Sequence, residues 1–373
     1  MSGVRVAAAG MVKVDRHYGK SIFDLAVDAV DDALRDSGRD DPEFLIVSTA
    51  VSSLLTPQFD LAGYMASYLG IKGSRVLRVE AGEASGLAAV QAAYALAASG
   101  RRVLVVGVDK LSDAPSARVY RILKYMYHRY GDGIYSIGHA AIPAILTKMY
   151  MERYGVSRED LAAWPAMMHA HAKRNPYAML RFAVKPESVA TAMPVSEPIT
   201  LLDSFPLGDG AAALLLEPGG GGLAAVDNVE SASGPVSIAV SDDPLRLEAV
   251  AKAWERVRGD GLKLDVVELH DSYTIMGLLI VEELGLSERG RAAERVASGE
   301  FTEGGEGPLI NASGGLKARG HPVGATGVYM AAEIAMQLSG TFPGVTVSEA
   351  RRGAAVSINA HGSSAYIALL SRV

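Results

Sequence analysis

The chain has 373 residues, long enough for two or three domains' worth of packed core. Hydrophobic residues make up 49% and charged residues 21%, and a net charge of −6 argues against a basic patch for nucleic acid or an anionic membrane. Cysteine is absent, which excludes disulfides, thiolate metal sites and any thiol nucleophile.

The pattern over Ser21 to Ser37 predicts an amphipathic helix: Ile22, Leu25, Ala26, Ala29, Val30, Ala33 and Leu34 share a face, and Ser21 with Asp24 resembles a capping box. Phe44 to Val51 and Val76 to Val79 read as strands. An Ala-rich helix follows from Ser85 to Ala98, apolar nearly all round and therefore buried, and Arg102 to Val108 is the next strand. From about Leu111 to Thr200 the alternation stops, and Tyr, Met, His, Arg and Pro mark an inserted, mostly helical subdomain. Strand-like sequence returns at Leu201 to Glu217, with a turn at Gly208-Asp209-Gly210, and Gly219 to Gly222 is the best linker. Beyond it the order restarts: helix over Pro244 to Val257, strand over Val266 to Leu269, and helix over Thr274 to Leu284. A Gly-rich segment at 311–327 then leads into a helix over Val328 to Leu338, and two paired strands fill Ala355 to Leu370. Two similar halves, residues 1–218 with the insertion at about 111–200 and residues 223–373, imply an α/β fold made by internal duplication. Met1 to Val14 lacks a secretory pattern and no apolar run spans a membrane, so the cytoplasm is the expected compartment. Only four Asn and three Gln occur, and their depletion together with Cys is the pattern of proteins from hot environments.

Three ordered segments carry a specific resemblance. Leu201-Leu202-Asp203-Ser204 with Asp209-Gly210-Ala211-Ala212-Ala213, then His270-Asp271-Ser272-Tyr273, then the Gly320-His321-Pro322 loop resemble the motifs of the thiolase superfamily, particularly the archaeal and sterol-carrier-protein-type members. The resemblance implies a duplicated αβαβα layered fold with a helical loop subdomain, a homodimer or homotetramer, and acyl-CoA as substrate. In that family the nucleophilic cysteine precedes Ala-Ser-Gly at a helix start, where free amides and the helix dipole stabilise a thiolate. Glu83 stands there instead, before Ala84-Ser85-Gly86, and Ser272 replaces the second, acid/base thiol. His321 corresponds to the histidine that activates the nucleophile, and His270 to one that helps form an oxyanion site. His361 stands where the family usually has Gly, so its ring is expected to rewire the pocket. Ser313, Gly314 and Gly315 match a turn that approaches the pantetheine of coenzyme A. Lys173 and Arg174 are candidate phosphate contacts, His169 and His171 resemble positions near the substrate entrance, and His128 and His139 default to surface or packing roles.

The expectations for function divide. An acyl-CoA enzyme, acyltransferase-like by descent, would use Glu83 as a base with His270 and His321, and decarboxylation or retro-Claisen cleavage could survive without sulfur. Alternatively, since the archaeal thiolases this chain resembles assemble with a zinc-ribbon/OB-fold protein and hydroxymethylglutaryl-CoA synthase, the resemblance implies a non-catalytic coenzyme A-binding or scaffold subunit of such a complex. A covalent acyl-Glu83, as in a coenzyme A transferase, ranks last. No bound metal or cofactor is expected; the coenzyme A thioester enters as substrate or ligand.

Overall fold

A computed structural model describes residues 3–35, 42–135, 138–259 and 261–373. Its main sheet is built from β1 (Val4–Met11), β2 (Phe44–Ser48), β3 (Arg75–Val79), β4 (Val103–Asp109), β5 (Gly210–Pro218), β6 (Ala224–Ser233), β7 (Val266–Leu269), β8 (Leu309–Ile310), β9 (Arg352–Asn359) and β10 (Ser364–Ser371). The strand order is β8-β7-β9-β10-β6-β1-β5-β4-β2-β3. Reading outward from the centre gives β1-β5-β4-β2-β3 on one side and β6-β10-β9-β7-β8 on the other, so the same topology occurs twice. The pairings repeat as well: antiparallel β1/β5 and β5/β4 match antiparallel β6/β10 and β10/β9, and parallel β2/β4 and β2/β3 match parallel β7/β9 and β7/β8. The halves join through antiparallel β1/β6.

Eight helices matter here: α1 (Ile22–Leu34), α2 (Leu61–Tyr68), α3 (Ser85–Ala98), α4 (Ala141–Tyr154), α5 (Ala163–Arg174), α6 (Glu248–Val257), α7 (Thr274–Glu283) and α8 (Thr326–Ser339). Helix α1 packs on β1, β5 and β4, and α6 packs on β6 and β10. Between these outer layers α3 and α8 lie side by side, each touching strands of both halves, which completes the αβαβα layering. Their sequences allow it. In α8 every residue from Thr326 to Leu338 is buried, and the helices cross at glycine. A Cβ on Gly86 would stand 2.6 Å from the Gly327 nitrogen, and one on Gly327 would stand 2.3 Å from the Leu87 nitrogen.

The capping box at Ser21 and Asp24 is present, and the predicted continuation to Ser37 lies outside the described residues. Strand β2 ends at Ser48, short of the expected Val51, because the buried Asp109 carboxylate turns the chain. Its oxygens accept from Thr49 Oγ1 at 2.7 Å, Ala50 N at 2.9 Å and Val51 N at 3.2 Å, and also from Gly324 N at 2.7 Å. That last bond ties the segment before α8 to the first half. Helix α6 begins at Glu248 rather than Pro244, since Glu283 accepts from Leu247 N at 2.8 Å and holds the preceding residues in a turn.

The 311–327 segment is pinned from below. Asn311 takes φ +48° and exchanges bonds with the Leu269 backbone at 2.7 and 3.2 Å. Arg319 and Glu333, both fully buried, pair at 3.3 Å, with the guanidinium over the Tyr329 ring.

Because backbone rather than flexible side chains fills the crossing, Gly327→Val should destabilise the protein by about 1–3 kcal/mol through overpacking. Urea unfolding should show a lower midpoint, and an unchanged midpoint would mean that α3 and α8 do not meet this closely.

Candidate active site

The two central helices start at the same place. Glu83 occupies the turn before α3, where Gly82 adopts φ +59° and a Cβ would stand 2.0 Å from Asn359 Oδ1, so the position requires glycine. Ser85 braces this turn, its hydroxyl bonding the Gly82 carbonyl at 2.5 Å and the Ala81 amide at 2.8 Å. His321 occupies the equivalent loop before α8, His270 follows β7, and Ala360 lies in the turn between β9 and β10.

These segments bring imidazoles around one buried carboxylate. Glu83 Oε1 lies 3.1 Å from His139 Nε2 and 3.4 Å from His321 Nε2, while Oε2 lies 3.9 Å from His270 Nε2. Oε2 also accepts from Ala360 N at 2.9 Å, and Glu83 N donates to Asn359 Oδ1 at 3.2 Å. Each imidazole is steered by a hydroxyl at its other nitrogen: Tyr273 OH at 3.0 Å from His139 Nδ1, Thr326 Oγ1 at 2.7 Å from His321 Nδ1, and Ser357 Oγ at 3.5 Å from His270 Nδ1. Glu83, His270 and His321 each offer a metal-ligand atom, and the three atoms lie within 4.8 Å of one another.

Charge follows from these contacts. Burial would raise the Glu83 pKa, but the attraction of His139 and the contacts of His321 and His270 hold it well below the usual carboxylate range. Burial pulls His270 down to about 3 and lowers His321, so both rings are neutral near pH 7. The phenols of Tyr127 and Tyr273 are pushed well above their ordinary value by burial and by the Glu83 charge, and stay protonated. An ionised carboxylate bonded to the Ala360 amide and His321, with the His139 and His270 rings close by, is well placed to orient and to balance protons. As a nucleophile it is poor, because its oxygens already serve these partners.

A cleft of about 520 Å³ in the insertion approaches the cluster, lined by Tyr120, Leu201, Ser204 and others and reaching His139, Phe205 and Tyr273. The Phe205 ring stands edge-on to His321 at 4.8 Å and separates it from the cleft, so His139 and Tyr273 meet the cleft directly.

Glu83, His270 and His321 thus converge. His361 does not join them: its ring stacks on Tyr127, with Nε2 3.2 Å from the Pro235 carbonyl and Nδ1 4.0 Å from Asp132. The backbone amide beside it reaches Glu83 instead. Ser272 is buried and its carbonyl accepts from Phe205 N at 3.1 Å, whereas the neighbouring Tyr273 places its oxygen against His139. Ser313, Gly314 and Gly315 are fully enclosed away from the cleft. Ser313 bonds both oxygens of Glu268, Gly314 packs on Ala172, and a Cβ on Gly315 would strike the Asp271 carboxylate at 2.4 Å. His169 and His171 are buried on α5, bonding the Phe182 and Asn311 carbonyls at 3.0 Å, and Arg174 pairs with Glu303 at the surface. His139 and Tyr273 are the participants sequence reasoning missed. Tyr273 lay inside a recognised motif, but nothing local to His139 distinguishes it from a packing histidine.

Comparison with known proteins agrees with this architecture. Residues 245–372 match the family model described as thiolase C-terminal domain-like. The chain is 32% identical over 355 residues to an acetyl-CoA acetyltransferase of Methanocaldococcus jannaschii, covering 91% of this chain and 90% of that one. It is 29% identical to sterol carrier protein 2 of Gallus gallus, covering 94% of this chain and 68% of that one. Among solved structures it resembles the Ltp2-ChsH2(DUF35) aldolase, with a TM-score of 0.82 at 20% identity, over 99% of this chain and 98% of that one. It also resembles human mitochondrial 3-ketoacyl-CoA thiolase, with a TM-score of 0.75 at 15% identity, over 100% of this chain and 99% of that one. The sequence relatives, the repeated topology and the converging helix starts together establish that this chain belongs to the thiolase superfamily, with Glu83 and Ser272 where the resemblance expects its two catalytic cysteines.

Proposed function

We propose that this protein cleaves, or in reverse forms, a carbon–carbon bond in an acyl-CoA thioester by acid–base chemistry, without an acyl-enzyme. The observation that carries this reading is the chain Tyr273 OH, His139 and Glu83, which runs from the cleft to the buried carboxylate with steps of 3.0 and 3.1 Å. It has the logic of a hydroxyl–imidazole–carboxylate triad: the carboxylate orients the imidazole and balances the charge it acquires.

Among the cleavages open to a thiol-free site, the retro-aldol reaction is the one whose protons this relay closes by itself. The substrate's β-hydroxyl gives its proton to the Tyr273 oxygen as the Tyr273 proton passes to His139 Nδ1. The Cα–Cβ bond breaks, the β-carbon leaves as a carbonyl, and the electron pair enters the thioester enolate. The proton then returns from His139 through Tyr273 to Cα. Decarboxylation would share the enolate but needs a proton supplied from outside, and retro-Claisen cleavage needs an acyl acceptor. His270 Nε2, buried and without a hydrogen-bond partner, is the group left to stabilise the enolate oxygen. The aldolase named among the structural neighbours supports this choice of reaction, and its DUF35 component supports a partner of that kind here. For self-association we infer the open edge at β3, where Leu77 is exposed and Tyr64 and Tyr68 are exposed on α2, the helix packed against β3.

Incubation with a 3-hydroxyacyl-CoA should yield a shorter acyl-CoA and a carbonyl compound, both visible by mass spectrometry. Tyr273→Phe and His139→Phe should each lower kcat roughly 10²–10⁴-fold, the usual contribution of a general acid–base. Retained acyl-CoA binding with no cleavage of any hydroxyacyl or malonyl thioester would favour the scaffold role instead.

A second measurement addresses the nucleophile. Wild-type protein exposed to acetyl-CoA should show no acetyl adduct by intact mass, whereas Glu83→Cys should acquire one. A stable adduct on wild type would show that the site still works through a covalent intermediate.

A further inference from the structure

We propose that Glu83, His270 and His321 form a binding site for one divalent transition-metal ion of the zinc type. The donor set is two imidazoles and one carboxylate, the combination that holds catalytic Zn²⁺ with an open position for a ligand. Around a tetrahedral ion with bonds near 2.0–2.1 Å, donor atoms stand roughly 3.3 Å apart. Glu83 Oε1 to His321 Nε2 is 3.4 Å, Glu83 Oε2 to His270 Nε2 is 3.9 Å, and one donor atom from each residue lies within 4.8 Å of the others, so the three side chains must draw together to close on an ion.

Three further features fit a metal. His270 Nε2 is completely buried with no hydrogen-bond partner, an arrangement that is costly for a polar atom unless a ligand takes it. The far nitrogens of both histidines face hydroxyl oxygens, Thr326 Oγ1 and Ser357 Oγ, which can accept the Nδ1 proton and leave Nε2 as the donor to metal. The carboxylate is fixed by Ala360 N and lies against His139, both outside the ligand set, and its negative charge lacks a neighbouring Lys or Arg ion pair among the described residues. A divalent cation would supply that charge. Sequence reading gave no expectation of metal, because the ligands are separated by 187 and 51 residues and come together only through the fold.

What the ion would do rests on the lyase reading above; that it binds does not. Bound there, it would act as a Lewis acid on the thioester oxygen and stabilise the enolate released when Cα–Cβ breaks.

The test uses the full chain, dialysed against chelator and titrated with Zn²⁺ alone or Co²⁺ alone. One ion per chain is expected, with visible absorption from the Co²⁺ form. His270→Ala and His321→Ala should each lose the bound ion, while His17→Ala, at the surface, should retain it. Thr326→Val keeps every ligand and should weaken binding about 10- to 100-fold, as loss of an orienting partner does. Unfolding curves for each variant separate lost ligation from lost structure. Absence of a stoichiometric ion in wild type, or its retention in a folded His270→Ala, overturns the proposal. Cleavage by metal-free protein would remove the ion's catalytic part and leave the lyase standing; one bound ion without any cleavage would do the reverse.

Discussion

A carboxylate with no exposed surface sits where the two halves and the insertion meet, and the surrounding architecture follows from the need to keep it charged. Placing a carboxylate in a dry interior costs several kcal/mol unless donors surround it. Glu83 gains an amide from the turn after β9, imidazoles from the loops after β7 and before α8, and a third imidazole from the insertion. No single segment could supply these. The cluster therefore exists only when both halves have closed on α3 and α8, which makes it as much a clamp between the halves as a site.

The position also explains why glutamate is tolerated where a thiolate would otherwise sit. Glu83 stands immediately before α3, where the positive end of the helix dipole favours an anion whatever its chemistry. Exchanging sulfur for carboxylate keeps the charge and changes everything else. A carboxylate is longer, so its oxygens reach His139, His321 and the Ala360 amide and engage donors that would otherwise be free for an incoming oxyanion. In the proposed reaction the residue in the nucleophile's place orients the bases, and the reactive end of the system lies outward at Tyr273.

Sequence reading reached the scaffold because its signals are local. The all-apolar α3, the Gly-rich 311–327 loop and the repeated order of strands and helices each carry their own pattern, and the structure shows the same topology in both halves. It singled out Glu83, His270 and His321, which the fold brings together, because each lies in a motif fixed by its own turn. His139 was out of reach: the loop before α4 has no motif, and only packing of the insertion against the core brings its ring within 3.1 Å of Glu83. The opposite failure occurred at His361, where a residue beside a recognised turn suggested a ring in the pocket. The backbone at Ala360 points inward, and so the next side chain turns toward Asp132 and Pro235.

Proton relay and metal ion are compatible because the site divides by nitrogen and by oxygen. An ion held through the Nε2 atoms of His270 and His321 requires both rings to carry their proton on Nδ1, toward Ser357 and Thr326, so the ion would take over from His270 Nε2–H as the group facing the enolate oxygen. The relay requires the opposite tautomer at His139, with the proton on Nε2 toward Glu83 and Nδ1 free to accept from Tyr273. These assignments involve different rings, and each agrees with the hydroxyl that faces it. Glu83 bridges them, balancing the imidazolium on one side and the cation on the other. The electrophile then lies on the side of the C-terminal half and the base on the side of the insertion, with the cleft opening toward the base. A carbon–carbon lyase needs that separation, because the enolate oxygen and the departing carbonyl develop at opposite ends of the bond that breaks.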